Sequence, residues 1–167
     1  MLNEKIEKCL KEGKRGGERH QGLVQIKPHS HRAEEHLRKA LQNFEAITDF
    51  RNTGHSDWSA SAAFYALYHG LLAILVNAGY ESRNQSCTFA MIENLIEEGK
   101  LKELTITDIR EIFDKDVTKN LEHSTTFLDM RERMQYSILT QFQEEEFQML
   151  KERARILLGK IRRELEK

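Results

Sequence analysis

The stretch ASAAFYALYHGLLAILVNAG, residues 60–79, constrains the fold of this chain more than any other. It approaches the roughly 20 apolar residues that a bilayer span requires. Yet it carries Ser61, His69 and Asn77, and the segments on either side are heavily charged. The pattern predicts a buried central helix rather than a membrane span. At 100° per residue this helix divides into two unlike faces. Phe64, Leu67, Leu71, Ile74 and Leu75 make a purely apolar side, and opposite them lie Trp58, Ser61, Tyr65, Tyr68, His69, Leu72 and Val76. The mixed side suits an interface or a pocket, because Tyr and His join apolar bodies to polar tips that find partners across a contact. It equally suits core aromatics whose tips bond to neighbouring helices.

The rest of the chain supplies amphipathic partners for that helix. Only one proline, Pro28, occurs in 167 residues, of which 39% are hydrophobic and 32% charged. That composition predicts an all-α protein rather than a turn-rich sandwich. A single domain of this length buries roughly 70% of the surface its unfolded form exposes. Residues 1–30 read as a short N-terminal helix and a flexible linker, since Leu2, Ile6, Cys9 and Leu10 are helically spaced and KEGKRGGERHQG then breaks the pattern. Residues 31–167 read as the bundle. Pro28 and Ser30 signal entry into a helix through about residue 50, and Ser56 or Asp57 opens the central helix, with Gly79 closing it. Ser86 or Thr88 opens a shorter helix stopped by Gly99. Thr107 and Asp108 open a long one carrying Ile109, Ile112, Phe113, Val117, Leu121, Phe127, Met130 and Met134, with a kink or break allowed at the poor helix formers 123–126. Thr140 and Gln143 have the spacing of a capping box for a closing helix with Phe147, Leu150, Ala154, Leu157, Leu158, Ile161 and Leu165 inward. The expected architecture is an antiparallel up-and-down bundle of about five helices plus the short N-terminal one.

A net charge of −1 provides no global field for nucleic acid or an anionic membrane, so such binding needs a local patch. Cys9 and Cys87 lie far apart in sequence and make no framework, which points to a reducing compartment, the cytoplasm. His29, His31 and His36 straddle a predicted helix start without a carboxylate or cysteine at metal-ligand spacing, so they read as solvent-exposed and no metal is expected. Lys11, Lys14, Arg15 and Arg19 are interrupted by Glu12 and Glu18, as in a solvated linker.

The segment FLDMRERMQYS, residues 127–137, ends its helix with two arginines and a tyrosine. With Phe127 set at zero, Met130 and Met134 fall within about 60° of it and Arg131 about 40° to the other side. Arg133 and Tyr136 point away and, three apart, can touch. Cations at a helix C-terminus are favourable by about 0.3–1 kcal/mol, which covers the arginines but not the tyrosine.

The A-x-Y-A-x-Y-H run at 63–69 and the R-x-R-x-x-Y at 131–136, in this order and followed by an amphipathic C-terminal helix, resemble the HEPN family over about residues 31–166. The resemblance is to a small prokaryotic branch with an R-x-R-x-x-Y motif. It implies a helical bundle that dimerises through its central helices, with the arginine motifs meeting in a shared cleft. It also implies a site for a nucleotide, RNA phosphate or partner protein, a minimal nucleotidyltransferase partner of the toxin–antitoxin type, and no cofactor, with a metal-independent endoribonuclease toxin or a purely structural interaction module as the alternatives. The implied cleft is lined by Tyr65, Tyr68, His69, Arg131, Arg133 and Tyr136. Many relatives are metal-independent ribonucleases with an R-x4-6-H motif. In such a site the arginine stabilises phosphate charge and the histidine moves protons. Here the fifth residue after Arg131 is Tyr136, and no histidine follows it. A tyrosine, with its ordinary pKa near 10, is a poor proton shuttle at neutral pH. The candidates for any catalytic role are therefore Arg131, Tyr136 and His69. The one R-x4-H spacing, Arg15 to His20, falls in the glycine-rich stretch outside the resemblance.

Overall fold

Small and large apolar residues, with no proline and with the one interior glycine, Gly70, packed against Ile161, fold residues Ser59–Ala78 into α3, the axis of the molecule. It is entered through a 3-10 turn at Ser56–Trp58 and left through Gly79, whose φ of 95° is the left-handed conformation that glycine adopts without cost. The structure is a computed structural model, describing residues 1–113 and 126–167. Among these, seven helices and one two-stranded sheet make up an all-α bundle. The stretch Ser56–Ala78 is long and apolar enough to cross a membrane, but 72% of its most apolar window is buried inside the fold.

α2 (Ser30–Asn52) lies along α3 and buries Ala33, Ala40 and Ile47. Its cap is His29, whose Nδ1 accepts the Arg32 N–H at 3.1 Å. α4 (Gln85–Glu97) is capped by Asn84, whose side chain accepts the Cys87 N–H at 3.0 Å, ahead of the predicted Ser86. α5 (Ile106–Ile112) starts at a reciprocal box between Thr105 and Asp108, not at Thr107. Asp108 is also reached by Lys160 at 2.8 Å.

Of the long helix predicted from Thr107 to Met134, with a break allowed at 123–126, the described residues show α5 at one end and a separately capped helix at the other. Phe113 leaves α5 in an extended conformation, and Thr126 caps a new helix, α6 (Phe127–Tyr136), by accepting the Asp129 N–H at 3.2 Å. Val117, Leu121 and His123 lie outside the described residues. The closing helix, α7 (Glu144–Leu165), starts after Gln143, which makes no side-chain cap bond, so the Thr140–Gln143 box does not form. Three glutamates in its first turn complement the helix dipole in its place. Near its other end the buried Glu164 carboxylate accepts the backbone N–H groups of Lys102, Glu103 and Leu104 at 2.8, 2.7 and 3.1 Å, fixing the approach to α5.

The N-terminal segment differs most from its sequence reading. α1 extends over Leu2–Gly16, and β1 (Leu23–Gln25) pairs antiparallel with β2 (Tyr80–Ser82), Leu23 opposite Ser82 and Gln25 opposite Tyr80. The glycines that read as flexibility serve close packing: a Cβ on Gly13 would strike the Leu23 carbonyl, and one on Gly22 the Cys9 carbonyl. His20, buried, accepts the Gly22 N–H at Nδ1, so its Nε2 carries the proton and donates to Glu81 at 2.9 Å. Arg32 and Arg83 also pair with Glu81, at 2.8 and 3.2 Å. Burial pushes the Glu81 carboxyl up, but His20 and the two arginines together hold it below its ordinary value.

Cys9 of α1 and Cys87 of α4 form a disulfide, with Cα atoms 5.9 Å apart across a sequence separation of 78. The sequence reading that left them unpaired is corrected here, because α1 folds back against α4. The premise from which a reducing compartment was drawn falls with it.

Candidate functional site

α6 presents its apolar stripe to the core as the 100° arithmetic requires, with Phe127, Met130 and Met134 buried. That fixes where its two arginines go. Arg131, flanking the stripe, turns onto α3: its Nη1 donates to the Tyr65 hydroxyl at 2.8 Å, and its guanidinium carbon sits 5.0 Å from the centre of the Phe64 ring and 5.6 Å from that of Tyr65. Its side chain is only 16% exposed. The nearest carboxylate is Glu132, at 3.9 Å from Nη2, and the buried Nε has no hydrogen-bond partner among the described residues. A guanidinium flat against aromatic faces gains cation–π attraction while keeping donors for another acceptor.

The other candidates are distributed around this contact. Arg133 donates from Nη2 to Glu146 of α7 at 3.0 Å and lies 5.9 Å over the Phe142 ring, lining a cavity of about 380 Å³. Tyr136 closes α6, is 78% exposed and makes no hydrogen bond among the described residues. Tyr68 belongs to the interior: its hydroxyl shares a hydrogen bond of 3.2 Å with Thr88, its ring lies beside Phe64 and Phe89, and burial pushes its phenol up. The structure therefore brings Arg131 and Tyr65 together, with Phe64 beneath them, and places Tyr68 in the packing of α3 on α4. Along the mixed face of α3, Val76 is buried and Trp58 is 52% exposed in the turn before the helix.

His69 faces α2, where its Nδ1 lies 3.3 Å from Nδ1 of His36 with the rings stacked. Sequence reasoning set His36 aside with His29 and His31 as exposed. His29, which caps α2, and His31 are exposed as expected, and His36 is half-buried. The signal was present, since His36 lies three residues after Ala33 and four before Ala40, both buried, beside the inward stripe of α2. A bond between two Nδ1 atoms needs one imidazole to donate and the other to accept, so the two rings cannot both be doubly protonated while this bond is intact. Burial, then Arg32, lowers the pKa of His36 against the opposing pull of Glu35 and Glu81. Burial, then His36 and Lys39, lowers that of His69. Among the described residues no cluster of three or more His, Cys, Asp or Glu could hold a metal ion.

A model of the HEPN domain matches residues 33–164, which run from the first turn of α2 to the last turn of α7 and contain every residue of this site. The chain belongs to the HEPN domain family. No curated protein matches the chain. α1 and β1 fall outside the match, although the disulfide and the sheet tie them to it.

The histidine pair gives the HEPN domain a pH dependence of known sign. Both imidazoles titrate below their ordinary 6.5 in the fold, so below about 6.5 the unfolded chain binds more protons than the native one. Stability is full above that value and falls as the pH drops through the window beneath it. Urea midpoints measured at pH 7.5 and 5.5 should show this loss, and the double variant His36→Gln, His69→Gln should flatten it. An unchanged slope in the double variant would assign the loss to other groups.

Proposed function

We propose that this HEPN domain binds phosphate groups of a nucleotide or of RNA, with Arg131 as the principal ligand, and that it does so without cleaving RNA. Membership of the family makes the chain a nucleotide- or RNA-related module. The observation that carries the finer reading is the state of Arg131: held on Phe64 and Tyr65, with Glu132 at 3.9 Å from Nη2 as its one carboxylate neighbour among the described residues, and with Nη hydrogens left to donate. A phosphate takes two such donors at once. Arg133, Tyr65 and Tyr136 border the same helix end and extend the binding surface. The proposal includes a homodimer that joins two motif helices in one cleft, and a minimal nucleotidyltransferase as partner. Were its setting the cytoplasm, glutathione and thioredoxin would act on the Cys9–Cys87 bond.

The His36–His69 contact supports a second reading, an endoribonuclease of toxin type in which His69 takes the place of the motif histidine. Imidazoles with lowered pKa are neutral at pH 7 and able to accept a proton. A cleavage assay on single-stranded RNA in EDTA, with Arg131→Ala and His69→Gln beside the parent, separates the two. The binding reading expects no products from any of them and retention of RNA by the parent alone among parent and Arg131→Ala. Cleavage by the parent that both substitutions abolish would replace it with the second reading.

A further inference from the structure

At the end of the bundle where α3, α4 and α7 finish, a cavity of about 540 Å³ opens between β2 and the turn that follows α4. None of its lining residues belongs to α6, so it is separate from the Arg131 contact. Its volume lies within the roughly 300–1,000 Å³ of small-molecule sites. The floor is apolar, formed by Ile74, Leu95, Leu101 and Leu165, and Tyr80 makes part of the wall. Two amide side chains, Gln25 and Asn77, also line it and make no hydrogen bond among the described residues.

Three lysines, Lys100, Lys102 and Lys167, are also among its lining residues. One carboxylate lines the cavity, that of Glu164, and both of its oxygens are engaged by the backbone N–H groups of residues 102–104. Lys100 and Lys167 pair with Glu98 and Glu103 at 2.7 and 2.6 Å outside the lining, and Lys102 has no ion pair among the described residues. Exposed pairs of this kind are worth about 0–1 kcal/mol and exchange readily for a better anion. The walls are fixed before any ligand arrives. Glu164 anchors the turn, the Lys100 N–H bonds to the Leu95 carbonyl at 2.9 Å, and β1 holds β2.

An apolar floor with an aromatic wall and free amides accepts a planar ring with polar edges, while Lys102, with Lys100 and Lys167 released from their exposed glutamate pairs, accepts a doubly charged anion. The geometry points to a second ligand site on this chain, for a phosphate monoester bearing a ring, of the nucleoside monophosphate class. The inference does not rest on the Arg131 reading.

Calorimetric titration of the full chain with adenosine monophosphate, adenosine and inorganic phosphate tests it, with Lys102→Glu and Arg131→Ala as variants. Lys102 is exposed and at a turn, so its variant should melt as the parent does. The expected result is a binding event for the monophosphate that is at least tenfold tighter than for adenosine or phosphate. Lys102→Glu should weaken this event tenfold or more and Arg131→Ala should leave it in place. Absence of binding at millimolar monophosphate would overturn the site. So would an event lost in Arg131→Ala and kept in Lys102→Glu, or equal affinity for inorganic phosphate alone.

Discussion

Reducing the Cys9–Cys87 bond lowers the stability of the fold by about 4 kcal/mol, the loop-closure value for a loop of this span. The bond closes 78 residues of chain separation, which takes in β1, α2, α3 and β2. The noncovalent contacts that remain on α1 are few large ones: Ile6 and Leu10 are only partly buried, and the close approach at Gly13 and Gly22 is backbone against backbone. In urea the reduced protein and the double variant Cys9→Ser, Cys87→Ser should therefore share one lowered midpoint, well below that of the oxidised parent. Their equality matters, because reduction and substitution remove the same cross-link by different chemistry. If the oxidised and reduced proteins unfold at the same midpoint, the two cysteines are not paired in solution.

The largest expected functional effect belongs to Arg131. Its truncation removes a charge-assisted donor worth about 1.5–3 kcal/mol to an acceptor, or roughly a tenfold to hundredfold loss of affinity for a phosphate ligand. Stability should change much less. What Arg131 gives the fold is one hydrogen bond to Tyr65 and the stacking on Phe64, and its alanine variant leaves no buried carboxylate stranded. Tyr65→Phe provides the converse control, since it keeps the aromatic shelf and removes only the 2.8 Å bond. It should retain most of the affinity if the arginine is the group that meets phosphate.

The parts of this fold that were legible in the sequence are those decided by local chemistry. Gly79 closes α3 because its left-handed φ is written into a residue without a Cβ. The two faces of α3 and the stripe Phe127, Met130 and Met134 follow from helical periodicity alone. The sequence reading puts the cap of α5 two residues late, at Thr107, and that of α4 two or four late, at Ser86 or Thr88, because Thr105 and Asn84 compete with similar neighbours for the same orphan amides. The Thr140–Gln143 box expected for α7 does not form. What escaped was decided by distant parts of the chain. The glycines of residues 13–22 look flexible until β1 and Cys9 are placed against them. His36 looks solvated until His69 is placed opposite. The shelf under Arg131 is Phe64, assigned by periodicity to the core, and no pattern within either helix shows that an arginine 67 residues later lies on its ring. The HEPN resemblance supplied the pairing of the two motifs, and the geometry then reduced six candidate residues to one close contact, Arg131 with Tyr65.

The most direct test of phosphate binding at Arg131 is the salt dependence of affinity for a short single-stranded RNA, followed by fluorescence anisotropy for the parent and Arg131→Ala. Each phosphate contact on a single strand contributes a slope of about −0.7 in log K against log salt. The parent should show a clear negative slope, and Arg131→Ala should reduce its magnitude by about 0.7 for each protomer that engages the strand, together with the tenfold or greater loss at low salt. Equal slopes and equal affinities in the two proteins would contradict the assignment of Arg131 as the phosphate ligand.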